Sequence, residues 1–83
     1  MRLRDDGVVV REIDGETVLL DLVSSTYFAS NQAGTFLLRL LRTERDRASL
    51  IAELAYEFRL GVDQAAEDTD AFVATLEQQG LLV

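Results

Sequence analysis

The side chains of this sequence that could carry chemistry are 15 carboxylates, the hydroxyls of its serines, threonines and tyrosines, and eight arginines. Histidine is absent, so there is no triad base and no imidazole metal ligand. Lysine is absent, which removes Schiff-base chemistry and a P-loop. Cysteine is absent, which removes thiolates and disulfides and fits a reducing compartment. A pair of carboxylates can hydrolyse a glycoside, but that reaction needs a deep cleft. A chain of 83 residues is a single domain and rarely makes one. The composition therefore points to a binding module rather than an enzyme, with no metal or cofactor expected.

The charge distribution says more than the net charge of −7. The last arginine is Arg59, and Asp63, Glu67, Asp68, Asp70 and Glu77 follow it unopposed. The C-terminal third is thus an acidic surface of one sign. Phosphate-binding elements need Lys and Arg, so this balance argues against nucleic acid as a partner. Apolar residues make up 48%, enough for one core. Met1 to Asp6 has charge without an apolar run behind it, so it is not a signal peptide, and Phe36 to Leu41 is far too short to span a membrane. A cytoplasmic location is expected.

Positioning elements can be read from patterning. Residues 1–6 read as a frayed end. Val8 to Ile13 is β-branched and short, a strand; Asp14-Gly15 is a hairpin signal; Thr17 to Leu22 is the return strand. On that return strand Val18, Leu20 and Leu22 alternate onto one face and Thr17, Leu19 and Asp21 onto the other. Val23 to Thr26 is a polar turn, and Tyr27 to Ser30 a third strand. Asn31 is a good N-cap for a helix from about Gln32 to Arg42, with Ala33, Phe36, Leu37, Leu40 and Leu41 at helical spacing. Gly34, unfavourable inside a helix, signals close packing. A second helix spans Arg47 to Phe58, with Gly61 expected just past its end. A third runs from an Asp63 cap to about Gln79, its apolar face formed by Ala65, Thr69, Phe72, Val73 and Leu76. The fold class is α+β: a three-stranded antiparallel meander followed by three helices, a winged-helix-like order, in one domain over residues 1–83.

An exposed sheet edge must be covered, charged or used. The third strand carries no charge, proline or glycine to blunt it, so it is a candidate docking edge. A short strand capped by its own loop explains the same residues. The same edge could also pair with a second copy of the chain.

The run Leu20-Asp21-Leu22-Val23-Ser24-Ser25-Thr26-Tyr27-Phe28-Ala29-Ser30-Asn31, followed by Ala33 and Phe36-Leu37, resembles the PqqD-like family. Its members show an aspartate in the second strand, a turn, an aromatic pair, and Asn leading into an amphipathic helix. The closing Gly80-Leu81-Leu82 is similar too, and Ser30 stands where a leucine is common. The resemblance implies a RiPP recognition element, which binds the leader segment of a ribosomally made precursor peptide. It also implies that the leader adds as an antiparallel strand to the third strand, in a groove against the third helix. A free-standing chain of this kind resembles the leader-binding subunit of lasso peptide biosynthesis. The partners then implied are the precursor leader, a transglutaminase-like leader peptidase and, further, a cyclase. A chaperone role for another modified peptide, such as a quinone cofactor precursor, remains the alternative.

On that basis the peptide-binding residues expected are Thr26, Tyr27, Phe28, Ala29 and Ser30 along the edge, Val23 beside a pocket for an apolar anchor, and Asp68, Thr69 and Phe72 on the third helix. Tyr27 and Phe28 point to opposite faces, and Phe28 is expected on the core side with Tyr27 at the rim. Asp68 is a candidate partner for a basic leader residue.

Overall fold

The computed structural model describes residues 1–83. Three strands, β1 (Val8–Ile13), β2 (Glu16–Asp21) and β3 (Thr26–Ser30), precede three helices, α1 (Gln32–Leu40), α2 (Arg47–Phe58) and α3 (Val62–Gln78). The sheet order is β1-β2-β3 with both pairings antiparallel, so β1 and β3 are edges. The first hairpin turns on Asp14 and Gly15, both at positive φ (54° and 79°), the two-residue turn that matches strand twist.

The alternation of β2 resolves in favour of its more polar set. Thr17, Leu19 and Asp21 are buried, while Val18, Leu20 and Leu22 face outward and are exposed. Two distant partners make this arrangement workable. Thr17 donates to Thr35 Oγ1 at 2.7 Å, deep under α1, and Arg4 sits with Nη2 2.7 Å from Asp21 Oδ1. Removing one half of a buried hydroxyl pair strands the other, at about 1–3 kcal/mol, whereas removing both is close to neutral. Thr35→Val should therefore lower the unfolding free energy by that amount. Adding Thr17→Val should restore much of it, as a urea-melt double-mutant cycle would measure.

Leu19, Leu37, Leu41, Leu50, Leu54 and Leu76 form the centre of the core. Asn31 caps α1 as expected, its Oδ1 accepting from Gly34 N–H at 3.0 Å. Asp46 caps α2 in the same way through Ser49 N–H at 2.8 Å. The α2–α3 junction departs from the sequence reading. Arg59, not Gly61, takes the left-handed conformation (φ 53°), and Ala55 O accepts from both Arg59 N–H and Leu60 N–H. Gly61 is the N-cap of α3, and Asp63 lies inside its first turn. A carboxylate there favours the helix dipole without capping the helix.

The N-terminus is not frayed. Arg2 and Val83 exchange backbone hydrogen bonds of 3.0 and 2.8 Å, Arg4 N–H donates to Leu81 O at 2.7 Å, and Leu3 is buried. The first residues thus pair with the last, an arrangement that local patterning cannot announce. No helix is long and apolar enough to cross a membrane.

Candidate functional site

The free edge of β3 has a definite backbone phase. Leu22 N–H donates to Gly7 O at 2.8 Å, just beyond the β1–β2 ladder, so the even-numbered residues of β2 turn their backbone groups toward β1. The odd-numbered ones, Thr17, Leu19 and Asp21, turn toward β3, where they stand opposite Ser30, Phe28 and Thr26. The N–H and C=O groups left pointing away from the sheet are those of Tyr27 and Ala29. Both residues are exposed.

Side chains divide across the same strand. Phe28 faces the core side and meets Phe72 of α3 edge to face, with centroids 5.7 Å apart. Tyr27 points to the outer face, 71% exposed, opposite Leu20. There Leu20, Leu22, Thr26 and Tyr27 border a shallow hollow of about 290 Å³. On the core side a groove of about 380 Å³ lies between the start of α1 and α3. Asn31, Ala33, Gly34, Asp68, Phe72 and Thr75 are among its lining residues.

Gly34 makes this groove possible. A Cβ at that position would stand 2.7 Å from the Phe72 ring and 2.8 Å from Ser30 Cβ. The small residues at 30 and 34 therefore let β3, α1 and α3 meet at one point, with Phe72 as the shared wall. Serine at 30, in place of the larger residue common in the resembled family, suits this crowding.

Of the residues expected from sequence, Thr26 to Ser30, Asp68 and Phe72 lie around the β3 edge or the two hollows flanking it. Two do not. Thr69 is fully buried on the inward face of α3 and cannot line a surface groove, because it is one helical step past Asp68. Val23 is 74% exposed on the β2–β3 turn, packed toward Gly7 and outside both hollows. Asn31 and Gly34 also line the groove, whereas the sequence marks them only as a helix cap and a point of close packing.

Charge fixes the surroundings of the site more than its chemistry. Burial pushes the Asp21 carboxyl up, but the Arg4 guanidinium beside it, with donors at Ser24 and the Val23 N–H, outweighs this and holds it below the usual range. The Arg47 guanidinium likewise holds Asp70 low. A depressed folded-state pKa contributes stability that is complete above the unfolded value and is lost as pH falls through the folded one. The stability gap between wild type and Asp21→Asn should therefore be full at neutral pH and close below about pH 4, as thermal melts across an acid series would record. No group of three or more carboxylates is placed to hold a metal ion.

The family model described as coenzyme PQQ synthesis protein D (PqqD) matches residues 16–82. The chain belongs to the PqqD family. No curated protein sequence matches it. Among solved structures, it is similar to TbiB1 in complex with the TbiA(beta) leader peptide. The identity is 28% and the TM-score 0.87, over 99% of this chain and 94% of that one. It is also similar to a lasso peptide synthetase B1 complexed with the leader peptide, at 28% identity and a TM-score of 0.81, over 96% and 93% of the two chains. The three antiparallel strands and three helices of this PqqD-family chain thus extend over nearly the whole length of both.

Proposed function

We propose that this PqqD-family protein binds the leader segment of a ribosomally made precursor peptide and presents it, without catalysing a reaction, to a partner enzyme of lasso peptide biosynthesis. The observation that carries the reading is the unpaired Tyr27–Ala29 backbone on β3, in a fold similar to that of two proteins solved with leader peptides. Strand addition supplies affinity through main-chain hydrogen bonds, and pockets supply specificity. The added strand would send alternate side chains to the two flanks of β3. One set falls over Phe72 and Asp68, the other beside Tyr27 and Leu20. A disordered leader loses entropy on binding, so apolar anchors on these flanks must supply the surplus.

The partner enzyme is read as a transglutaminase-like leader peptidase, with a cyclase as a further candidate. The PqqD description of the matching family favours a second reading, a chaperone for another class of modified peptide. Calorimetric titration with a synthetic leader of the cognate precursor, with the TbiA(beta) leader as a heterologous comparator, tests the proposal. Saturable one-to-one binding is expected, and no binding of the cognate leader would refute it. A stable dimer through β3 in the absence of peptide would refute it as well.

Asp68 is the proposed partner for a basic leader residue. It is exposed beside the groove, and Gln64 Nε2 donates to its Oδ1 at 2.8 Å, which orients the carboxylate. Exposed ion pairs contribute little, so Asp68→Asn should weaken leader binding only about two- to fivefold at low salt. It should also flatten the salt dependence. Unchanged affinity and slope would remove Asp68 from the site.

A further inference from the structure

Three of the eight arginines converge where the leader-binding reading has no use for them. Arg39, Arg45 and Arg47 are paired with Glu12, Glu53 and Asp70. Arg2, Arg4 and Arg42 instead line a hollow of about 380 Å³ whose apolar wall is Leu3, Val8 and Val10. Opposing charge is thin. Asp5 is 89% exposed and 3.8 Å from Arg2, and Asp21 behind the hollow is already paired with Arg4. Arg42 makes no ion pair of its own, although its charge helps hold low the carboxyl of Glu12, which Arg39 pairs, and Arg4 Nε and Nη2 are buried with no hydrogen-bond acceptor. In a chain of net charge −7, none of the unopposed carboxylates of α3 lines this hollow.

The hollow adjoins the second free edge of the sheet. By the same backbone phase, Val9, Arg11 and Ile13 turn their groups toward β2, so those of Val8 and Val10 point away from it. The Val8 and Val10 side chains fall on the face that lines the hollow. Of these outward groups, Val10 O accepts only from the neighbouring Arg11 Nη1, at 3.1 Å.

We propose that this hollow is a docking site for an extended acidic segment of a partner protein, which adds to the β1 edge while its carboxylates meet Arg2, Arg4 and Arg42. Planar guanidinium donors match carboxylates in a way a diffuse positive patch does not. The site lies across the sheet from β3, so a segment here and a strand on β3 can be held together. Its occupation does not depend on what β3 binds.

The test is an NMR titration of the full chain with an acetylated, amidated hexapeptide of alternating Asp and Glu, at low salt. An Asn/Gln hexapeptide and inorganic phosphate serve as comparators at matched ionic strength. Shifts are expected at the Nε–H signals of Arg4 and Arg42 and at the Val8 and Val10 amides. The double variant Arg2→Gln/Arg42→Gln, which changes side chains at the surface, should weaken them about tenfold. The proposal is overturned if the Asn/Gln peptide or phosphate reproduces the shifts, or if the acidic peptide shifts Arg11 and Arg59 as strongly. It is equally overturned if the response appears at Tyr27 and Ala29 instead.

Discussion

Ala29→Pro should leave the protein folded and weaken leader binding at least about tenfold, because it removes one outward N–H and sets a ring in the path of an incoming strand. The N–H of Ala29 has no partner within the sheet, and proline is tolerated on an edge where the lost donor faces solvent. Its effect on the melting temperature should be small. Phe28→Pro, one residue away, is the control, measured against Phe28→Ala so that the loss of the ring packed on Phe72 cancels. The Phe28 backbone pairs with Leu19 on β2, so losing that N–H and forcing the ring into the ladder should cost about 1–3 kcal/mol beyond the loss seen in Phe28→Ala. That is a large share of the stability of so small a domain. The pair of variants separates the backbone phase of β3 from the general importance of the strand. If Ala29→Pro unfolds the chain and Phe28→Pro does not, the phase assignment is reversed.

Gly34→Ala should destabilise the protein and close the groove together. A methyl group at 34 improves helix propensity by about 1 kcal/mol. It also arrives 2.7 Å from the Phe72 ring and 2.8 Å from Ser30 Cβ. The ring can swing, but Ser30 Cβ is fixed to the backbone of β3. Overpacking of this kind costs about 1–3 kcal/mol, so the net loss should be on the order of 1 kcal/mol and the melting temperature should drop by about 5 °C. Relief of the clash pushes Phe72 outward over the surface beside β3, and leader affinity should fall about tenfold, on the scale of one misplaced apolar anchor. In a Phe72→Ala background the stability penalty should shrink, leaving the part due to Ser30. Equal penalties in both backgrounds would show that Phe72 is not the wall.

Much of this was legible from residue order. Asn31 announces a helix start because its side chain satisfies an orphan N–H, and the structure finds it doing so at Gly34. Phe28 lies inward and Tyr27 outward because successive strand residues alternate, and an aromatic pair must divide. Gly34 was conspicuous because glycine weakens a helix unless something needs the space. What local patterning leaves open is set by distant residues. Which face of β2 is buried depends on Arg4 and Thr35, neither of them close to it in sequence. The ordered N-terminus depends on Leu81 to Val83 at the far end of the chain. Thr69, read both on the apolar face of the third helix and at the groove, keeps only the first place: one residue past the exposed Asp68 a helix has turned by about 100°, enough to move a side chain from rim to core. The Arg59 turn before α3 was missed because a glycine two residues later offered an easier left-handed position.

On the proposed function, β3 receives a strand through the backbone of Tyr27 and Ala29. Amide hydrogen exchange with and without the cognate leader tests it most directly. Without peptide, the amides of Phe28 and Ser30 should be protected by β2, and those of Tyr27 and Ala29 should exchange rapidly. With peptide, Tyr27 and Ala29 should become protected while Phe28 and Ser30 change little. Leader binding that leaves Tyr27 and Ala29 exchanging as fast as before would rule out strand addition at β3.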